Sequence, residues 1–411
     1  MHTDHLLRHL DHAGMLRFLS ELVRTPSVFL PTQVGANEAA AAQLISDLLS
    51  EWGLNPHMWE VAPGRPNIVA ELHGSHGPGP LLLMEGHTDV VTPGNLASWS
   101  YDPFAATIVD GKMYGRGTAD MKGGVAAMLY AVRALQLAGA PFAGTIRLLI
   151  PVDEEGLMIG IKDIVARGYA DGAIGAIICE PEEHEVCIAQ KGALRLKLGA
   201  YGRVAHGAMP EEGVNALTAM IHLLARILPL QEELRAAHGE HPLLGKIYLS
   251  PTVMRAPTSG DASQINVLPD VCDAYLDIRT IPGVEHGHIV ARIEQMIAEV
   301  VAIDASYRLD VSIVDDRPST EIPADHPLVR AIQAGHQQIY GTMPPFGGVP
   351  GSTDGTIITR DAQVPVVVYG PGGKRIPHQP DEYVIVDEVK RAAEVYVVAA
   401  MHLLNQQGES A

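Results

Sequence analysis

The sequence predicts an α/β domain, a sheet covered by helices, interrupted by a smaller inserted α+β domain of ferredoxin-like order. Three observations predict it. The first half alternates helical patterns with continuous apolar strands bounded by Gly, Pro and Asp, the mark of strands buried on both faces. After Gly192 the strands alternate apolar and polar residues instead, as in a sheet with one open face. Beyond a Pro-rich stretch at 316–327 the first pattern returns. A length of 411 residues suits two domains, or one domain with a large insertion.

Residues 36–52, closed by Gly53, read as an amphipathic helix. Strands follow at 67–72 and 81–86, then a helix at 121–138 and strands at 145–152 and 173–180. The inserted segment reads as a strand at 194–201, a helix at 214–237, strands at 246–254 and 271–280, a helix at 286–302 and a strand at 306–314. That is the β-α-β-β-α-β order. A linker at 316–327 leads to a helix at 327–340, a strand at 364–370 and a closing helix at 386–405. The expected domains are 1–191, 192–315 and 316–411, the first and last forming one catalytic domain.

Composition narrows the function. Lys plus Arg is 29 and Asp plus Glu is 48, a net charge of −19, so phosphate backbones and anionic lipid surfaces are poor partners. No nucleic-acid or membrane partner is expected. Cys179, Cys187 and Cys272 form an odd, sparse set that suits a reducing compartment. The N-terminal stretch mixes charge with apolar residues and has no uninterrupted apolar region or small-residue cleavage site. A cytoplasmic protein is expected. Aromatic residues are only 5%, so the core must be aliphatic.

Five segments place a His or a carboxylate at a strand end or in a Gly-rich turn. In Glu85-Gly-His87-Thr-Asp89, the His and Asp are two apart and share a side; the His can bind a metal while the Asp fixes its other ring nitrogen. A buried His hydrogen-bonded to an Asp is the ordinary alternative. Asp120 sits among four glycines in GRGTADMKGG, just before a helix, where a carboxylate can bridge two cations or merely cap the helix. Asp153-Glu154-Glu155 closes a buried strand with three acids that repel one another unless neutralised. Glu180 ends an apolar strand, and His378 stands in the Gly- and Pro-rich loop GPGGKRIPHQPDE. Open α/β sheets bind ligands at the carboxyl ends of their strands, and these segments lie there. His and carboxylate donors without Cys suit hydrolytic zinc, manganese or cobalt sites rather than structural zinc.

The motifs GHTDVV, GRGTADMKGG, PVDEEG, a strand-ending EP and PHQPDE occur in that order. In this the sequence resembles the dinuclear-zinc metallopeptidase family of acetylornithine deacetylase, succinyl-diaminopimelate desuccinylase, aminoacylase and glutamate carboxypeptidase, from about residue 15 to 400. The resemblance implies a zinc-peptidase catalytic domain, a mixed sheet sandwiched by helices, with the insertion as a lid and dimerisation domain. It implies that His87, Asp120 and Glu180 hold one metal and that Asp120, Glu155 and His378 hold the other, Asp120 bridging. Asp89 would orient His87, and Glu154 would be general base and then general acid. His206 (in VAHGAMP) would polarise the scissile carbonyl. Asn266 and Arg279 match positions that hold the oxyanion and a substrate carboxylate, and Gly351, Ser352 and Thr353 match a substrate-contacting loop. A salt bridge to Asp277 or Glu285 is the ordinary alternative for Arg279. A cis peptide bond between Asp120 and Met121 is also implied.

The expected function is metal-dependent hydrolysis of the amide bond of a small N-acyl amino acid or short peptide with a free carboxylate. Two divalent cations per chain, zinc first and cobalt or manganese next, would activate the attacking water, and Glu154 would take its proton. The alternative within enzymes is a non-peptide C–N bond, in a carbamoyl, aryl-amine or amino-acid conjugate. A binding protein that lost the chemistry is disfavoured by the complete ligand set and Glu154. An anionic small substrate and a homodimer formed through the inserted domain complete the expectation, with His206 acting across the dimer.

Overall fold

Leu81–Glu85 is an interior strand of a mixed sheet in the computed structural model, which describes residues 3–256 and 264–406. On one side it pairs in parallel with Thr145–Ile150, and beyond that strand lie Arg65–His73 and His57–Ala62, both antiparallel to their neighbours. On the other side it pairs in parallel with Ala173–Ile178, which pairs in parallel with Val366–Val368. The four parallel strands are the continuous apolar runs that the sequence marks as buried on both faces, and the structure covers both. Gly123–Leu137, Pro327–Tyr340 and Val386–Gln406 pack together as one group of helices. Ile159–Ala166 and Gly355–Ala362 pack together, and Leu83, Leu149, Ile161, Ile357 and Val368 share one core cluster with them.

The chain forms two compact units. One takes residues up to Ile188, Glu321–Val349 and the chain from Thr353 onward; the other takes Ala189–Thr320 and Pro350–Ser352. The second unit is therefore a few residues wider than 192–315. Its sheet runs Tyr248–Arg255, Val271–Thr280, Gly192–Tyr201, Arg308–Arg317, antiparallel throughout, the ferredoxin-like order. Leu194, Leu196 and Leu198 belong to the core that includes helices Ala216–Ile227 and His286–Ile303. The alternate positions pair charges across strands, Lys197 with Asp273 at 2.9 Å and Arg195 with Asp315 at 3.2 Å.

Some elements differ from the sequence reading. The helix expected over 214–237 is two helices, Ala216–Ile227 and Leu230–His238, because Pro229 has no N–H and its ring opposes the carbonyl one turn back. The structure adds the helix His12–Arg24 and the short strands Thr107–Val109, Lys112–Tyr114 and Tyr383–Ile385, which form a sheet of their own. Among the described residues no helix is long and apolar enough to cross a membrane.

Candidate metal centre

Because the four central strands run parallel, their carboxyl ends lie along one edge of the sheet. His87 follows Leu81–Glu85, Glu154 and Glu155 follow Thr145–Ile150, Glu180 follows Ala173–Ile178, and His378 lies in the loop after Val366–Val368. Asp120 arrives from the turn Thr118–Lys122, which runs into helix Gly123–Leu137, and its bond to Met121 is cis. Gly124 lets that helix approach: a Cβ there would stand 1.9 Å from the carbonyl oxygen of Cys179, one residue before Glu180.

Two groups of donors result. Ligand atoms of His87, Glu154 and Glu180 lie within 4.8 Å of one another, as do those of Asp120, Glu155 and His378. Asp120 joins the groups. Its Oδ1 is 3.2 Å from His87 Nε2 and its Oδ2 is 3.3 Å from His378 Nε2. Glu180 Oε1 is 3.4 Å from His87 Nε2, and Glu155 Oε1 is 2.8 Å from His378 Nε2. His87 is wholly buried, whereas the His378 side chain is half exposed.

Asp89 touches both His87 and the turn that bears Glu154 and Glu155. The His87 Nδ1 lies 3.0 Å from the Asp89 main-chain oxygen and 3.4 Å from Oδ1. The same carboxylate accepts the N–H groups of Glu154 (3.2 Å) and Glu155 (3.1 Å). Burial raises the Asp89 carboxyl, but His87 and these two N–H groups outweigh it and hold it below its ordinary value.

The acids strain against one another. Burial, then the charge of Asp120, raises Glu180 to about 8 and raises Glu155. Burial also raises Glu154 well above the carboxylate range, with Glu180 adding to it. Burial works against ionised Asp120 as well, but hydrogen bonds from His378 and His87 override it and keep it low. The hydrogen bonds that His378 donates to Asp120 and Glu155 raise it to about 10. Four carboxyls and two imidazoles crowded this way suit a pair of divalent cations, which would neutralise the acids and accept the ring nitrogens. The donor set fits such a pair.

Residues 83–402 match the peptidase family M20/M25/M40. The chain belongs to this family. It is an enzyme of a metal-dependent hydrolase family. It is 30% identical over 389 residues to an acetylornithine deacetylase of Salmonella arizonae, covering 93% of this chain and 95% of the relative. It is 29% identical over 408 residues to a probable succinyl-diaminopimelate desuccinylase of Staphylococcus epidermidis, covering 94% and 97%. A solved M20 family metallo-carboxypeptidase from Sulfolobus solfataricus superposes with a TM-score of 0.76 at 18% identity, covering 95% of this chain and 99% of that one.

In the second unit of this M20 chain, His206 is exposed on the short strand Ala205–His206, paired with Val267–Leu268, and its Nδ1 accepts the Ala208 N–H at 3.1 Å. Asn266 is its neighbour: its main-chain oxygen accepts the Gly207 N–H at 2.7 Å. Arg279 makes the ordinary ion pair, with Nε 2.6 Å and Nη2 3.0 Å from the two oxygens of Asp277. Gly351 and Ser352 belong to the second unit. Thr353 belongs to the first, where its Oγ1 accepts the Gly355 N–H at the start of Gly355–Ala362.

Three residues around the donors carried no role in the sequence reading. Asp153, the first acid of the triplet, has φ of 68° and pairs with buried Arg65, Nη1 to Oδ1 at 2.7 Å; its Oδ2 accepts the Leu157 N–H at 2.9 Å. Arg65 also bonds the buried Glu38. Nothing in the spacing of Glu38, Arg65 and Asp153 announces that they meet.

Proposed function

We propose that this M20 enzyme hydrolyses the amide bond of a small N-acyl amino acid or short peptide that carries a free carboxylate, with Glu154 as general base and then general acid. One observation carries the reading: the two oxygens of Asp120 face histidines of different donor groups, with Glu154 beside one of them. His87, Asp120 and Glu180 hold one divalent cation and Asp120, Glu155 and His378 the other, zinc in first place and cobalt or manganese next. Bound there, the cations supply an acidified water and a Lewis acid for the carbonyl. Glu154 takes a proton from the attacking water and delivers it to the departing amine. Asp89 fixes His87 and, through the N–H groups of Glu154 and Glu155, the turn that bears the base.

His206 polarises the scissile carbonyl, Asn266 holds the oxyanion, and Gly351, Ser352 and Thr353 contact the substrate. Arg279 receives the substrate carboxylate by exchanging it for Asp277; a guanidinium fork suits either partner. The names of the two relatives support an N-acyl substrate, since both denote removal of an acyl group. The second unit serves as lid and dimerisation domain. Its edge strand Tyr248–Arg255 exposes Val253 and Met254, and helix Ala216–Ile227 exposes Ile221, surfaces that pairing across a two-fold axis would cover. Such a homodimer would let His206 act in the partner's site. The protein works in the cytoplasm, as its three reduced, buried cysteines suggest.

The test is a panel of N-acetyl, N-succinyl and dipeptide substrates assayed with Zn²⁺, Co²⁺ or Mn²⁺ after chelator treatment. Metal-dependent release of the free amino acid is expected, with the carboxamide analogues poorly used. Absence of turnover on the whole panel with every metal would overturn the reading.

A further inference from the structure

Glu382 ends the motif PHQPDE, and the proposed reaction gives it nothing to do. Yet it is buried, as is Arg116, and the two meet, Arg116 Nη1 donating to Glu382 Oε2. The other carboxylate oxygen, Oε1, accepts two main-chain N–H groups, from Ala119 at 3.0 Å and from Asp120 at 3.1 Å. The Glu382 main-chain oxygen accepts the Gly115 N–H at 2.8 Å. Local structure sets this up: Tyr383–Ile385 pairs with Lys112–Tyr114, so Glu382 and Gly115 stand together at the end of a ladder. One residue earlier, Asp381 accepts the N–H and hydroxyl of Ser100, both at 2.7 Å. The loop that bears His378 is thereby fastened to the turn that bears Asp120.

We infer that Glu382, oriented by Arg116, is the positioning residue for Asp120: its Oε1 fixes the main chain on which one carboxylate must face His87 and His378 at once. The inference rests on the dinuclear reading above. Because Asp120 faces both groups, displacing its main chain weakens both sites together, whereas a change at Glu180 or at Glu155 reaches one.

Two substitutions separate positioning from simple charge pairing. Glu382→Asp keeps the charge for Arg116 but withdraws the acceptor by one methylene. Glu382→Gln keeps the reach and an acceptor oxygen but leaves Arg116 an uncompensated buried charge, which costs stability. If the pair were only structural, Gln would be the worse change in every respect. If Glu382 positions Asp120, the rankings cross: Gln lowers the melting temperature more, and Asp lowers metal affinity more.

The experiment titrates the full-length chelator-treated protein with Zn²⁺ against a competing chromophoric chelator, alongside thermal melts of the metal-free chains. The expected result is two equivalents for the wild type. Glu382→Asp should lose about 10–100-fold in affinity at both sites, the range for removing an outer partner of a ligand. Glu382→Gln should retain both affinities. Should Glu382→Asp fail to fold, Glu382→Ala, which loses charge and acceptor together, is compared with Glu382→Gln: loss in Ala with retention in Gln supports the assignment, and equal affinities overturn it. Should Glu382→Gln fail, the double variant Arg116→Gln/Glu382→Gln, which keeps the acceptor without a lone buried charge, takes its place. Wild-type affinity in Glu382→Asp, or a loss in Glu382→Gln that matches or exceeds it, overturns the inference alone. A wild-type chain that takes up no second equivalent overturns the dinuclear reading and this inference with it.

Discussion

Glu154 and Glu155 are consecutive in the chain yet stand in different donor groups, Glu155 Oε1 2.8 Å from His378 Nε2 and Glu154 beside His87 and Glu180. Their N–H groups converge on the two oxygens of a single residue, Asp89. The main chain is thus pinned at the point where neighbouring side chains diverge. Glu154→Ala should lower kcat by about 10²–10⁴ while sparing metal uptake, the usual range for a lost general base. Glu155→Ala should weaken metal binding. Metal analysis beside steady-state kinetics decides; equal metal loss in both variants would contradict the separate roles.

Metal uptake should approach two equivalents, and Asp120→Asn should impair both sites where Glu180→Gln impairs one, because Asp120 faces both His87 and His378 whereas Glu180 faces His87. Direct metal analysis after reconstitution checks this. A single equivalent supporting full activity would sink the bridged pair.

Gly124 gives a prediction of sign. Replacing glycine by alanine inside a helix ordinarily stabilises it by roughly 0.5–1 kcal/mol. Here the new Cβ would meet the Cys179 carbonyl oxygen at 1.9 Å, so Gly124→Ala should instead destabilise the fold by about 1–3 kcal/mol, as overpacking does. Denaturant unfolding of the metal-free chains reads the sign.

His336 is buried, stacks on Tyr340 with ring centroids 4.3 Å apart, and has Nδ1 2.8 Å from the Tyr369 hydroxyl. Burial, with the nearby His184, lowers it from 6.5 to about 4. The unfolded chain then binds a proton that the folded chain refuses between these values. Its contribution is complete above pH 6.5 and is lost as pH falls through the window toward 4. His336→Phe should flatten the loss of stability across that interval, measured as the difference from wild type in unfolding free energy at several pH values. An unchanged slope would show that other groups set the acid sensitivity.

Co-expression tests the dimer. His206→Ala and Glu154→Ala chains should each be inactive, and their mixed dimers should recover one working site if His206 serves the partner. Silent, verified mixed dimers would rule out the exchange and leave the metal chemistry standing.

The sequence by itself determined the elements that carry the donors. Largely apolar runs at 81–86, 145–152 and 173–180, bounded by Gly, Pro and Asp, read as strands covered on both faces, and that places His87, Glu154, Glu155 and Glu180 at strand ends whatever the strand order. Alternation at 194–201 likewise announced a sheet with one polar face. The motif order, through the resemblance, named the donors. What only the tertiary structure decided was how those ends converge. His87 and His378 reach opposite oxygens of Asp120 because the strands before them lie parallel in one sheet, a pairing that no local period encodes. The Arg116–Glu382 and Arg65–Asp153 contacts were equally invisible, since the pairing of buried charges depends on which distant segments the sheet and its small neighbour bring together. Short strands such as Tyr383–Ile385 hold too few residues to show a period, and yet that strand seats Glu382. Local patterns report burial and backbone conformation; the distances on which the chemistry rests are set by strand order and register.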